Sequence, residues 1–250
     1  MEENQNNSTE EIKEAIQANN ENVTEEKVAS ESKTIDTDEL KKETANTVNQ
    51  VKETVKNVDI KKESEATKNF VVDFVKNPIG KIKEIAQDTE NKYFVTTLIL
   101  VILWVIIVAI STASNYTHFF KYNFWSHTLS VFKAMLSPIL GILAMSLIIF
   151  IMNKENKKNL MTCINTVTAT KIPVFLAAIV NLLKIFNLRD MMIITTFVSF
   201  CSVISIVLSY FGIKGLFGAK DDEKFFKKFL LIEGIYYIVY FVISYLGIYI

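Results

Sequence analysis

The sequence predicts an all-α fold: a polytopic membrane bundle of five transmembrane helices behind a polar N-terminal tail that is disordered or loosely helical. Three observations predict it. From Tyr93 to Ile250 the chain is a succession of long apolar stretches, everything before Tyr93 is mostly polar, and lysines gather in alternate loops between the stretches. A span needs about 20 mostly apolar residues to cross roughly 30 Å of hydrocarbon. Its backbone polar groups must be satisfied within the segment, so such stretches become helices. The formal net charge of zero averages an acidic tail with basic loops and says nothing about partners by itself.

The tail comprises residues 1–69. It contains no aromatic residue, glycine, proline or cysteine, and acids outnumber bases. Such a segment cannot bury enough apolar surface to fold alone. Its acidic opening lacks an apolar signal region, so the first span is expected to act as an uncleaved anchor. Val48, Val51, Val55 and Val58 follow alternating spacings of three and four, the seam of a coiled coil about two heptads long. This seam is the expected contact for a partner protein, with a loose, unpaired tail as the alternative.

Residues 70–92 differ from the tail. Phe70, Val71, Phe74 and Val75 form an apolar patch, and Asn77 caps a new helix with Pro78 in its first position. Ile79, Ile82, Ile85 and Ala86 line one face of that helix. It is expected to lie in the inner headgroup region, with the basic residues Lys81, Lys83 and Lys92 on anionic lipid. The alternative is a short helix packed on the bundle.

Five spans are expected in residues 93–250. The first, 93–112, is the clearest, because no charged residue occurs between Lys92 and Lys121. The second is 131–152, with Lys133 able to snorkel from its outer end. The third, 159–184, has a polar first half, NLMTCINTVTATK. The fourth is 191–213 and the fifth 229–250. The loop after the second holds Lys154, Lys157 and Lys158, and the loop after the fourth holds Lys214, Lys220, Lys224, Lys227 and Lys228. The intervening loops are poorer in Lys and Arg. Lysine-rich short loops stay in the cytoplasm, so the N-terminus is expected there and the C-terminus on the opposite side of the cell membrane.

Lys171 is the residue with the most chemistry. It falls near the middle of the third span, where a lysine costs roughly 2.5–3.5 kcal/mol on insertion scales. Glu233, about one turn inside the fifth span, is its candidate intramembrane partner. The pair serves either as part of an ion or substrate path or as a lock between two helices. Pro173 is expected to kink the third span, with Thr166, Thr168 and Thr170 covering the carbonyl that it frees.

The remaining features read more plainly. Tyr116, Phe119, Phe120, Tyr122, Phe124 and Trp125 suit an interfacial aromatic belt. His118 and His127, in the same loop, have no cysteine or carboxylate beside them and suggest no metal site. Asp221, Asp222 and Glu223 read as a solvated turn, and Gly212, Gly215 and Gly218 as a flexible helix end. Cys163 and Cys201 fall in spans and are expected to be reduced. There is no HExxH, no GxSxG and no aspartate within a span, which excludes the common membrane hydrolases. Neither a nucleic-acid signature nor a cofactor motif is present.

Three stretches carry a family resemblance. FVVDFVKNPIGKIKEI (70–85), TATKIPVFLAAIVNLL (168–183) and SYFGIKGLFG (209–218), with a polar tail before five close-set spans, resemble the bacterial form of the Yip family of Ypt/Rab-interacting membrane proteins. The likeness covers roughly residues 70–250. It implies a non-enzymatic protein that organises or recruits partners at the membrane, with membrane lipids and proteins as partners and homo-oligomers open to it. The alternative is a small transporter or channel component using Lys171 and Glu233.

Overall fold

The computed structural model describes residues 41, 45, 48, 49, 52, 59–117, 124–153, 156, 158–183 and 191–245. Among these every regular element is helical. We number the helices α1 (Ile60–Lys76), α2 (Pro78–Gln87), α3 (Phe94–Thr117), α4 (Phe124–Met152), α5 (Leu160–Thr170), α6 (Ile172–Asn181), α7 (Met191–Phe217) and α8 (Asp222–Tyr245). Of the tail seam, Val48 is helical and exposed, while Val51, Val55 and Val58 lie outside the described residues. His118 and the side chain of His127 lie outside them too.

Among the described residues three single helices are long and apolar enough to cross a membrane: Phe94–Ser114, Thr128–Met152 and Met192–Phe217. A fourth crossing is available only if α5 and α6 count as one bent span, since they meet at 45°. Among the described residues that makes three crossings, or four, where five were expected. The third stretch is broken at Lys171, two residues before Pro173, because proline has no N–H to give the preceding turn and its ring crowds that turn. The α8 stretch opens on charged residues, Asp222, Glu223, Lys224, Lys227 and Lys228. Its apolar part begins only at Phe229 and is interrupted by Glu233.

Helix ends obey the local chemistry. Asp59 Oδ1 accepts from the Lys61 and Lys62 amides at 3.1 and 3.3 Å and starts α1. Asn77 Oδ1 accepts from Gly80 N at 3.0 Å and starts α2, with Pro78 in the position that needs no donor. Asp221, read from sequence as part of a solvated turn, accepts from the Glu223 and Lys224 amides and starts α8. Gly218, at φ +57°, ends α7 in the left-handed region that glycine enters without strain. Asn153 and Asn156 donate to the last carbonyls of α7, Leu216 O at 3.0 Å and Phe217 O at 2.9 Å.

Packing brings the pre-membrane segment into the bundle. Helix α2 lies against α7 and α5, α1 lies against α3, and α3 packs on α4. Ile82, Ile85 and Ala86 are fully buried, and Phe70 and Phe74 nearly so. Phe70, Phe74, Ile82 and Ile85 share one core cluster with Leu100, Ile172 and Leu208 of the bundle. The apolar face of α2, expected in lipid headgroups, is therefore covered by protein. Gly212 and Gly215 make the approach close enough. A Cβ at Gly212 would sit 3.1 Å from Ile82 Cγ2, and one at Gly215 would sit 3.0 Å from Ala86 Cβ. These glycines are a docking groove rather than a flexible helix end.

Candidate functional site

The polar half of the third stretch becomes a buried polar lane. Thr162, Asn165, Thr166, Thr168 and Thr170 on α5 are all buried, as are Thr97 on α3 and Ser205 and Ser209 on α7. Buried polar groups are tolerated when hydrogen-bonded, and most of these are. Thr162 Oγ1 donates to Asp88 O at 2.9 Å, tying the exit of α2 to the start of α5. Thr97 Oγ1 donates to Asn165 Oδ1 at 2.8 Å. Ser209 Oγ reaches Thr170 Oγ1 at 3.3 Å. Thr166 and Thr170 donate to Thr162 O and Val167 O, both at 2.8 Å. None of the threonines covers the carbonyl of Ala169, four residues before Pro173; the Lys171 amide turns to it instead. Thr168 Oγ1 and Ser205 Oγ are buried without a hydrogen-bond partner.

The lane ends at Lys171, where α5 stops and α6 begins. Two cavities meet there, one of about 410 Å³ and one of about 190 Å³. Lys171, Val174, Tyr236 and Tyr240 line both. The larger lies among α3, α4, α6 and α8, with Trp104 and Pro138 in its wall. Ala134, Ser137 and Gly141 line the α4 side of it. Their spacing of three and four along one helix face was a signal in the sequence that only small residues there would expose. The smaller cavity reaches α7, where Ser202 and Ser205 line it.

Glu233 comes within electrostatic reach of Lys171 but not within the 4.0 Å of an ion pair. Glu233 Oε1 is buried without a hydrogen-bond partner, and the residue lines neither cavity. The candidate pair is thus brought together loosely.

The three basic residues expected on lipid headgroups divide. Lys83 is exposed. Lys81 and Lys92 turn instead to Glu84, each at 3.0 Å. Tyr93 donates to the same carboxylate, Lys81 donates to Tyr93 Oη at 3.2 Å, and both lysines stand over the Tyr93 ring. The hydrogen bond from Tyr93, helped by both lysines, holds Glu84 down at about 2. Burial pulls Lys81 down, but its bonds to Glu84 and Tyr93 outweigh it and hold it above the ordinary lysine value. Lys92 is likewise held up, first by Tyr93 and then by Glu84. This cluster latches α2 to the start of α3. On α7 Lys214, between Gly212 and Gly215 in sequence, pairs with Asp222, which also accepts from Tyr210 at 3.3 Å.

Cys163 and Cys201 are free and buried. Among the described residues no group of three His, Cys, Asp or Glu side chains is placed to hold a metal ion. Compared with family models, with curated proteins and with solved structures, the chain matches none. The Yip resemblance accordingly rests on its sequence motifs.

Proposed function

We propose that this chain is a non-enzymatic, Yip-like multi-pass protein of the cell membrane that recruits or organises partner proteins through its cytoplasmic N-terminal tail. The observation that carries the reading is the docking of α1 and α2 into the bundle, with Ile82, Ile85 and Ala86 buried against the α7 groove. A scaffold needs its recruiting segment held at a fixed station, and this packing fixes the segment that joins the tail to the spans. In this reading the α5–α6 pair crosses once and α8 completes a fifth crossing, with the lysine-rich loops inside.

Cross-linking in native membranes, followed by co-purification of the full chain and of a chain lacking residues 1–69, tests it. Partners that are lost with the tail support recruitment. A tail-less chain that keeps every partner sinks it.

The break at Lys171 and the cavities around it favour a second reading, a small transporter or channel component. Discontinuous helices at midplane are where many transporters hold substrate. Liposome flux that is the same in the full chain, Lys171→Ala and Glu233→Ala removes that reading.

A further inference from the structure

Among the described residues, the two cavities at the break present one cation in a mostly apolar wall. Trp104, Pro138, Val174, Tyr236 and Tyr240 supply the aromatic and aliphatic lining, and Lys171 faces both spaces. Among the described residues Lys171 has no ion pair within 4.0 Å and no side-chain hydrogen bond. A second group points the same way. Ser205 is 1% exposed, lines the smaller cavity beside Lys171, and leaves its Oγ without a partner. An ammonium and a hydroxyl left unpaired next to a hole form an incomplete site, because unsatisfied polar groups in a low-dielectric interior are costly.

We propose that the cavities at Lys171 bind an anionic amphiphile with one apolar chain, its carboxylate or phosphate head on Lys171 and Ser205 and its chain along Trp104 and Val174. The sign follows from Lys171, the only charged residue among the described ones that line either cavity. Glu233 does not compete for the head directly, since it lines neither space. The apolar chain follows from the walls and from the depth. Trp104 lies near the middle of the first span, so the site lies at the depth of lipid chains. A single chain follows from the volume, at the low end of the roughly 300–1,000 Å³ typical of ligand pockets. The site is independent of whether the bundle works as a scaffold or as a conduit.

The protein has two tryptophans, Trp104 and Trp125. In a Trp125→Phe background the fluorescence of Trp104 reports the cavity directly. The full chain is placed in phosphatidylcholine nanodiscs and titrated with a dibrominated stearate, whose bromines quench a neighbouring indole. Saturable quenching is expected. Lys171→Met should weaken it at least about tenfold, about 1.4 kcal/mol, while Lys171→Arg retains it and Ser205→Ala weakens it by about threefold. The methyl ester of the same acid, which keeps the chain and loses the charge, should give no saturable phase.

Equal quenching by acid and ester overturns the anionic head, and this comparison needs no variant beyond the fluorescence background. Equal affinity in Lys171→Met overturns the assignment to Lys171. If acetate or inorganic phosphate displaces the brominated acid at similar concentration, the site takes the free anion and the chain has no part in it. The nanodisc titration reads binding alone, so its failure leaves the tail-deletion experiment untouched.

Discussion

At the residue scale, three glycines make contrasting predictions. A side chain at Gly212 meets Thr166, Thr170 and Ile82 at 3.0–3.1 Å, all of them in packed helices. Gly212→Val should therefore lower stability by about 1–3 kcal/mol through overpacking. Gly215→Val should act alike through Ala86. Gly234 has nothing within 4 Å of where a Cβ would stand, so Gly234→Ala should raise stability by up to about 1 kcal/mol through helix propensity alone. Thermal unfolding in one detergent, followed by circular dichroism, checks the signs; a neutral Gly212→Val would mean that α2 does not sit in the groove. The spacing of Gly212, Gly215 and Gly218 was plain in the sequence, but their use was not. A repeat of glycines reads equally as looseness or as close approach until the opposing residues are known. Ile82 and Ala86 lie more than a hundred residues away in sequence. The same holds for Thr97 and Asn165, whose bond joins two separate stretches. Thr97→Val should cost about 1–3 kcal/mol by leaving the buried Asn165 short of a donor.

At the scale of elements, α2 shows where sequence reasoning divides. Its cap, its proline and its apolar face were all legible locally, because each depends on neighbours within a turn or two. Whether that face meets headgroups or protein depends on α5 and α7, and amphipathicity is satisfied by either. The latch at its end adds a pH dependence. Glu84 is held at about 2 against an ordinary 4.5, chiefly by its hydrogen bond from Tyr93. A depressed carboxylate contributes stability that is full above about 4.5 and is lost as the pH falls through about 2. Its side chain is 45% exposed, so solvent screening limits the contribution to about 1 kcal/mol at most. Between pH 5 and 2 the amides of α2 should therefore lose protection from hydrogen exchange in the wild type. Glu84→Gln should start from lower protection and stay flat over that window. Parallel curves for the two proteins would show that Glu84 does not hold α2.

At the scale of the whole molecule, the strongest spans were legible because composition alone decides them: the first, second and fourth apolar stretches are the helices long enough to cross. The third and the last were not, because a single lysine, a proline or a charged first turn leaves length and hydropathy in conflict. The break at Lys171 arises from local chemistry, yet the cavities it opens depend on α4 and α8, which no pattern within the third stretch could reveal. The course of α8 decides the topology. Its charged first turns, Asp222 to Lys228, are anchored beside α7 by Asp222 and Lys214, so its start lies at the same face as the end of α7. Its later face, with Leu230, Leu231, Ile238, Phe241 and Val242 exposed, needs an apolar medium. In the proposed five-span reading this helix crosses. Cys163 and Cys201 are buried and should stay silent to an impermeant maleimide, so single introduced thiols report cleanly. Lys220→Cys, exposed just before α8, should be protected in intact expressing cells and labelled in inverted vesicles. Ile250→Cys should show the reverse. Labelling of both from the same side would make α8 a helix that enters the membrane and returns, and would put both ends of the chain in the cytoplasm.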